Sequence, residues 1–253
     1  MDSLKKGRRF IASIQARMGS ARLPNKVLKE VAGKPLLQIM IERANKSVLI
    51  DDLIVATTLE PRDDAIVDLC KDLGVNFFRG SEDGVLERMY LTHKEISTDV
   101  VVSLYGDCPL IDPKIIDTVI VAYIVNQPCD YVTNLDSKTY PAGMGLEVYP
   151  FRVLELAYQK VNTSEDREHS SRYFRVRPHE FKHVHVGASP ELYYPQLEIA
   201  LDEDKDYELI KILYEALHLQ NPCFGCKDIV DYIKLNNHLL DINQKVKRRE
   251  LKR

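Results

Sequence analysis

What this chain lacks bounds it first. No apolar run approaches the ~20 residues that a membrane span needs, and the opening Met-Asp-Ser-Leu-Lys-Lys carries no apolar signal region. A cytoplasmic protein without a membrane partner is expected. Cysteine is scarce: residues 70, 108, 129, 223 and 226 form an odd, scattered set that suits a reducing compartment rather than a disulfide framework. Cys223-Phe-Gly-Cys226 has metal-like spacing, but zinc needs two further ligands and only His218 and His238 lie near in sequence. A loop between two helices is the simpler expectation for that pair. Neither a Walker A string nor Gly-x-Gly-x-x-Gly occurs, which disfavours P-loop and dinucleotide sites. The chain has no internal repeat and no low-complexity segment, and its net charge of −3 gives no pull towards nucleic acid or membrane. Its basic tail, 245–253, has no interleaved aromatics and reads as a frayed, solvated helix end rather than a nucleic-acid site.

What is present suits one sizeable α/β domain. With 253 residues, 45% hydrophobic and 29% charged, such a chain buries roughly 70–75% of its unfolded surface. Apolar runs at Ile11–Ile14, Leu53–Thr57, Val75–Phe78 and Val100–Leu104 read as buried strands. Between them lie helical patterns over 34–44, from Pro61 and Asp63 to a stop at Gly74, over 83–95, and beyond Pro113. Pro35 is placed at a first helical position. Four such alternations predict a mostly parallel, helix-covered sheet with right-handed crossovers. Beyond residue 126 the order changes. Short strands are expected at 130–134, 146–149, 183–186 and 199–202, with helices near 151–161, 164–175, 204–217 and 227–240. That α+β portion completes the sheet and covers one side. Tyr131 and the apolar stretch 146–156 are read as an interface with a second copy.

Two stretches carry chemistry. After the first strand, Arg17, Arg22 and Lys26 arrive within ten residues around Gly19 and Ser20. Cations and loop amides just past a strand's C-terminal end suit a polyphosphate, because ligands of open α/β sheets bind in that crevice. Arg offers a bidentate fork to phosphate oxygens and Lys a compact charge; a solvated basic loop is the competing reading. The second stretch is Leu104-Tyr-Gly-Asp-Cys-Pro-Leu-Ile-Asp-Pro113, which aims Asp107 into the same crevice. There it suits a Mg²⁺ that bridges phosphates and offsets charge on a departing pyrophosphate, against the alternative of a turn cap. Asp112, directly before Pro113, reads as a helix cap.

The string Gln15-Ala-Arg-Met-Gly-Ser-Ala-Arg-Leu-Pro-Asn-Lys-Val-Leu28, followed by Ala32-Gly-Lys-Pro-Leu36, resembles the opening of the spore-coat polysaccharide cytidylyltransferases, relatives of the CMP-Kdo and CMP-acylneuraminate synthetases. The Gly106-Asp-Cys-Pro-Leu-Ile111 block resembles that family's Gly-Asp-x-Pro-Leu-Ile. The resemblance runs from about Phe10 to Asn243. It implies a Rossmann-like sheet of the nucleotide-diphospho-sugar transferase type. The whole chain, 1–253, would be one such domain, with a nucleotide-binding half at 1–126 and an acceptor-binding, closing half at 127–253. It also implies a nucleotidyltransferase that joins CMP from CTP to a sugar acid and releases pyrophosphate for surface polysaccharide synthesis, with Mg²⁺ and as a homodimer.

By the same resemblance, Ala16, Arg17, Ser20, Arg22 and Lys26 hold the nucleotide's phosphates, with Gly106 beside them, and Arg17, Arg22, Lys26 and Asp107 are the catalytic set. Leu201-Asp-Glu-Asp-Lys-Asp-Tyr207 resembles Val-Asp-Thr-x-x-Asp-Leu and makes Asp202 the second metal carboxylate; Asp204 and Asp206 then fall in a helix's first turn. Ala56, Thr57 and Thr58, with Arg79, Gly80, Ser81 and Asp83, resemble the cytosine and ribose contacts, although Gly84 replaces a usual acid. On the acceptor side Tyr140-Pro-Ala-Gly-Met-Gly-Leu-Glu147 resembles Phe/Tyr-Pro-Asp-Gly-x-Asp-Val-Glu. Ala142 and Gly145 stand there where acids are common, and Glu147 remains. Arg167-Glu-His169 matches the Arg-Glu-His block, so Tyr140, Glu147, Arg167 and His169 are the expected grip on a small acidic acceptor. A nucleotide-sugar glycosyltransferase of similar fold is the rival enzyme, disfavoured because the place of its Asp-x-Asp motif reads Gly106-Asp-Cys-Pro109. A non-catalytic nucleotide-binding protein is the rival of another class.

Overall fold

A computed structural model describes residues 2–248. The alternation read from the sequence is realised as β1 (Phe10–Gln15), α1 (Leu36–Ala44), β2 (Asp52–Thr58), α2 (Asp64–Leu73), β3 (Asn76–Gly80), α3 (Val85–Glu95), β4 (Val100–Tyr105) and α4 (Pro113–Val125). There follow β5 (Tyr131–Thr133), β6 (Glu147–Pro150), α5 (Phe151–Lys160), the short α6 (Ser164–Arg167) and α7 (Arg172–Arg175), β7 (His183–His185), α8 (Asp204–Gln220) and α9 (Cys226–Leu235). The seven strands form one sheet in the order β3-β2-β1-β4-β6-β5-β7. Neighbours from β3 to β4 are parallel, β6 runs antiparallel to both β4 and β5, and β7 is parallel to β5. This is the mostly parallel α/β sheet that the sequence predicts.

The strand order reverses at β1, which has β2 on one side and β4 on the other. Chains leaving neighbouring strands in opposite directions open a crevice at such a point, where α/β sheets bind ligands. The loops after β1 and β4 flank it. Their close approach requires glycine at 106: a Cβ there would stand 2.5 Å from the Gln15 carbonyl oxygen. Alternate side chains along the strands serve two layers of core. Phe10, Ala12 and Ile14 of β1 pack with Val100, Val102 and Leu104 on one face, while Val101, Tyr131 and Tyr149 pack beneath α3, α5 and Phe174 on the other. Gly74 stops α2 in the left-handed region at φ 64°, as its sequence position suggests. Asp112 caps α4 by accepting from Lys114 N–H at 2.8 Å.

Several local expectations are corrected. Pro35 is not a first helical residue: Lys34-Pro35 pairs with Glu30-Val31 in a small hairpin, and Pro35 sits in front of α1 with an extended ψ of 141°. The helix expected over 164–175 is two single turns. Between them Ser170 and Ser171 send their hydroxyls to Gln15 and Glu147, where further helix would not place both. Residues 199–202 form no strand, because their groups bridge loops: Ile199 N–H reaches Ala142 O and Leu201 N–H reaches Asp107 O at 2.7 Å. The last long helix ends at Leu235, followed by a 3₁₀ stretch over Asn237–Ile242.

Tyr131 is fully buried against Phe174 and His183, and β6 is buried throughout, so neither presents an interface to a second copy; of the stretch 146–156 only Phe151, Arg152, Glu155 and Leu156 reach the surface. The basic run departs from its expectation as well. Residues 245–248 are not helical, and Arg248 docks on Asp206 instead of fraying into solvent; residues 249–253 lie outside the described part. Cys223-Phe-Gly-Cys226 does lie in the connection between α8 and α9, with Cys226 buried, its thiol pushed up to about 12 by burial, and Cys223 exposed.

Candidate active site

Lys26 is the centre of the crevice. Its Nζ donates to Leu201 O at 2.6 Å and stands 3.4 Å from Asp202 and 3.7 Å from Asp107. Arg22 closes on Asp202 at 2.8 Å. Thus the loop after β1, the turn after β4 and the segment before α8 are brought together across more than 170 residues of chain, the last two also sharing the Leu201–Asp107 backbone bond. An ammonium held between two carboxylates is the arrangement that a hard cation also favours. Asp107 and Asp202 therefore fit a divalent ion that takes one or two carboxylates and completes its shell with phosphate and water oxygens. Among the described residues no group of three His, Cys, Asp or Glu side chains converges on one point, so a metal here would depend on a bound phosphate for the rest of its shell.

The loop itself is shaped by its neighbours. Asp63, fully buried, accepts from Met18 N–H at 2.7 Å, from Thr58 N–H at 3.3 Å and from the Thr58 hydroxyl. It ties the loop to the end of β2. Ser20 N–H goes to Met18 O at 2.8 Å and the Ser20 hydroxyl accepts from Leu23 N–H at 3.3 Å, so Ser20 braces the turn. Ala16 is buried and joined to Ala56 through its N–H. Arg17 reaches Glu82 at 3.2 Å.

The segments at the ends of β2 and β3 divide into braces and free groups. Arg79 spends its donors on Thr58 O at 2.8 Å, Glu60 O at 3.0 Å and Asp64 at 2.6 Å, and so locks the ends of β2 and β3. Thr58 is committed to Asp63, whereas the buried Thr57 hydroxyl has no partner. Gly80 makes room for Arg88, whose Cγ would stand 2.9 Å from a Cβ at that position. Ser81 accepts from Gly84 N–H at 3.1 Å through its hydroxyl and from Arg88 through its carbonyl. A cleft of about 460 Å³ lies between this loop and the 161–168 segment, lined by Ser81, Asp83, Glu87, Tyr158, Arg167 and Glu168 among others.

The expected acceptor residues do not all meet. Glu147 is fully buried on β6; one of its oxygens accepts from Tyr131 Oη at 2.5 Å and Ser171 Oγ at 2.7 Å, and the other has no partner. Burial and that carboxylate push the Tyr105 hydroxyl well above its ordinary value. His169 is exposed, and the protein around it together with the Arg175 guanidinium hold its pKa below the usual imidazole range. Arg167 faces the cleft beside Ser81 and Asp83. Tyr140 belongs to the other core layer, with its hydroxyl 3.4 Å from Gly187 O, and is not brought to Glu147.

Asp63, Arg62, Glu82 and Arg88 are absent from the sequence-based site. Arg88 carried a signal: it is a charge between Leu86 and Met89 on the buried face of α3, and burial pushes it down to about 10. It holds the Ser81–Glu82 carbonyls in place. Asp206 was readable as a first-turn acid. The structure adds that it accepts from Asp202 N–H at 3.0 Å, Asn243 Nδ2 at 2.7 Å and both Arg248 terminal nitrogens.

Comparison with known proteins shows what the chain is similar to. The cytidylyltransferase family matches residues 11–243. An uncharacterized protein of Methanocaldococcus jannaschii is 37% identical over 241 residues, covering 95% of this chain and 97% of that protein. The spore coat polysaccharide biosynthesis protein SpsF of Bacillus subtilis is 34% identical over 229 residues, covering 88% and 93%. The structure of a cytidylyltransferase from Leptospira borgpetersenii superposes with a TM-score of 0.88 at 30% identity, covering 95% of this chain and all of that one.

Proposed function

The chain belongs to the cytidylyltransferase family, a nucleotidyltransferase, and from that premise we propose that it joins CMP from CTP to a hydroxyl of a small acidic acceptor. The acceptor class is a Kdo- or nonulosonic-acid-like sugar acid, and the product supplies surface polysaccharide synthesis, the process named for the Bacillus relative. A bond forms between the acceptor oxygen and the α-phosphorus; the bond to the β-phosphate oxygen breaks, and pyrophosphate leaves. The observation that carries this reading is the convergence of Asp107, Asp202 and Arg22 around Lys26 at the strand-order reversal.

Each residue then has a role. Arg17, Arg22 and Lys26 bind the phosphates and stabilise charge as pyrophosphate departs, which is catalysis by positioning and electrostatics. Asp107 and Asp202 hold Mg²⁺. The ion, when bound, supplies Lewis-acid stabilisation of the phosphates and lowers the pKa of an acceptor hydroxyl. The unpartnered Thr57 hydroxyl and the Ser81–Asp83 loop are the base and ribose side. Arg167, in the cleft, and the exposed His169 bind an acceptor anion, and Glu147 supports that side from beneath through Tyr131 and Ser171. Residues 1–126 bind nucleotide and 127–253 bind acceptor, in a cytoplasmic homodimer. Among the described residues no helix is long and apolar enough to cross a membrane.

The test is thermal stabilisation by CTP, UTP, GTP and ATP, each with Mg²⁺, followed by pyrophosphate release with 2-keto sugar acids. Selective stabilisation by CTP is expected. Preference for another nucleotide overturns the base assignment, and pyrophosphate release retained by Asp107→Ala overturns the metal assignment.

A further inference from the structure

Arg62 stands on the turn Pro61–Asp63, and Asp63 is bonded to Met18 N–H, so the turn carries Arg62 onto the phosphate loop. Its guanidinium rests against that loop: Nη2 and Cζ lie 2.8 and 2.9 Å from where a Cβ on Gly19 would stand. From the opposite side Glu82 reaches in and pairs with both Arg62 and Arg17. The side chains of the two arginines are 50% and 48% exposed, while that of Glu82 is only 20% exposed. One carboxylate therefore serves two guanidinia, each with five N–H donors. Among the described residues neither arginine has another side-chain partner. Two guanidinia against one carboxylate leave a net positive charge, and most of their donors make no side-chain bond among the described residues.

We infer that Arg62 is a fourth cation of the phosphate site and that Glu82 is its resident counter-anion, displaced by the polyphosphate of the incoming nucleotide. This rests on the nucleotide-binding reading above. A triphosphate or pyrophosphate carries several negative charges where Glu82 carries one, and guanidinia bind phosphate oxygens in bidentate fashion, so the exchange favours the ligand. The displacement needs only a side-chain swing, because the backbone at 81–82 is held by the buried Arg88. Unlike Asp107 and Asp202, Glu82 makes no ion pair with Lys26 among the described residues; its partners are the two arginines.

The experiment measures binding of CTP and of inorganic pyrophosphate, each with Mg²⁺, by calorimetry on the full chain. Glu82→Gln removes the competing anion and is expected to tighten both ligands about three- to tenfold at low salt, the scale of two partly exposed ion pairs, with the gain shrinking in 0.5 M salt. Arg62→Ala is expected to weaken both about tenfold, and Arg62→Lys to retain part of the affinity. The decisive comparison is Arg62→Ala in the Glu82→Gln background. A continued loss there means that Arg62 touches the ligand. No loss there, or weaker binding on Glu82→Gln alone, overturns the inference. Wild-type protein that binds pyrophosphate but not CTP overturns the nucleotide reading while the variants still decide the role of Arg62; binding of neither ligand overturns both.

Discussion

Asp63 gives the sharpest test of how the phosphate loop is held. Its carboxylate is fully buried and accepts from three donors: Met18 N–H at 2.7 Å, Thr58 N–H at 3.3 Å and the Thr58 hydroxyl. Asp63→Ala leaves two backbone N–H groups without an acceptor in a place where water does not reach. A hydrogen bond to a charged group contributes about 1.5–3 kcal/mol, and a buried unsatisfied donor costs about 1–3 kcal/mol. The Thr58 hydroxyl can turn elsewhere and the 3.3 Å bond is long, so a total of about 3–5 kcal/mol is expected. At roughly 2–3 °C per kcal/mol for a chain of this size, the melting temperature falls by about 6–15 °C. Asp63→Asn keeps the volume and one acceptor and should lose about half as much. Urea unfolding followed by circular dichroism reads the stability. Because Met18 lies inside the loop, CTP affinity should fall about tenfold with it, the cost of ordering a loosened loop on binding. A stability loss below about 1 kcal/mol, or a CTP affinity that does not change in the alanine variant, refutes the claim that Asp63 shapes the loop.

Other consequences are as concrete. His93 is fully buried between Ser13 and Thr98, and burial pushes its pKa down to about 3. A neutral histidine in the fold and a titrating one in the unfolded chain mean that its contribution is complete above pH 6.5 and is lost as pH falls towards 3. Unfolding free energy should therefore drop by about 1.4 kcal/mol per pH unit below 6.5, relative to a His93→Gln variant; parallel pH curves would sink this. Gly106→Ala forces a Cβ to 2.5 Å from the Gln15 carbonyl. It should cost about 1–3 kcal/mol in stability by overpacking and, by moving Asp107, about 100-fold in turnover, read by denaturation and pyrophosphate release. Arg248 is bonded to the fully buried Asp206 and is 24% exposed, so Arg248→Ala should cost about 2 kcal/mol, below the 3–5 of a fully enclosed pair. Burial would raise the Asp206 pKa, but bonds from Arg248 and Asn243 outweigh it and hold it below the ordinary 3.8. That stabilisation is present above pH 3.8 and lost as pH falls through the lower folded value, so melting curves of wild type and Arg248→Ala should converge in strong acid.

The first half of the chain was legible because its signals are local. Each parallel strand is a short buried run, each helix has its own stop, and the two chemical blocks sit directly after β1 and β4, where the fold exposes them. Charge at a strand's end was equally visible at Arg79, but its use was not: its three bonds go to Thr58, Glu60 and Asp64, so it braces the crevice wall. The roles of Glu82 and Asp63 escaped notice for a related reason. An acid in a polar turn looks solvated until the partner is known, and these partners lie 65 and 45 residues earlier, at Arg17 and Met18. Periodicity reports which face is apolar; it does not report which distant donor a carboxylate will meet.

The second half resisted for a different reason. Ala142 and Gly145 stand where acids are common in this family. In the fold, position 142 works through its backbone. Ala142 N–H donates to Leu197 O and Ala142 O accepts from Ile199 N–H, both at 2.9 Å. Gly143, at φ 99°, lets this loop approach Ile199 so closely that a Cβ would stand 2.7 Å from the Ile199 carbonyl oxygen. The stretch 197–199 leads directly to Leu201 and Asp202, which Lys26 and the Asp107 carbonyl hold in the crevice. The 140–145 loop is therefore a support for the segment that carries Asp202. A change of side chain at 142 leaves that support intact, because the hydrogen bonds it makes belong to the peptide groups. Position 145 differs, because a Cβ there would collide with Leu135 Cδ2, so an acid could enter only by displacing that side chain.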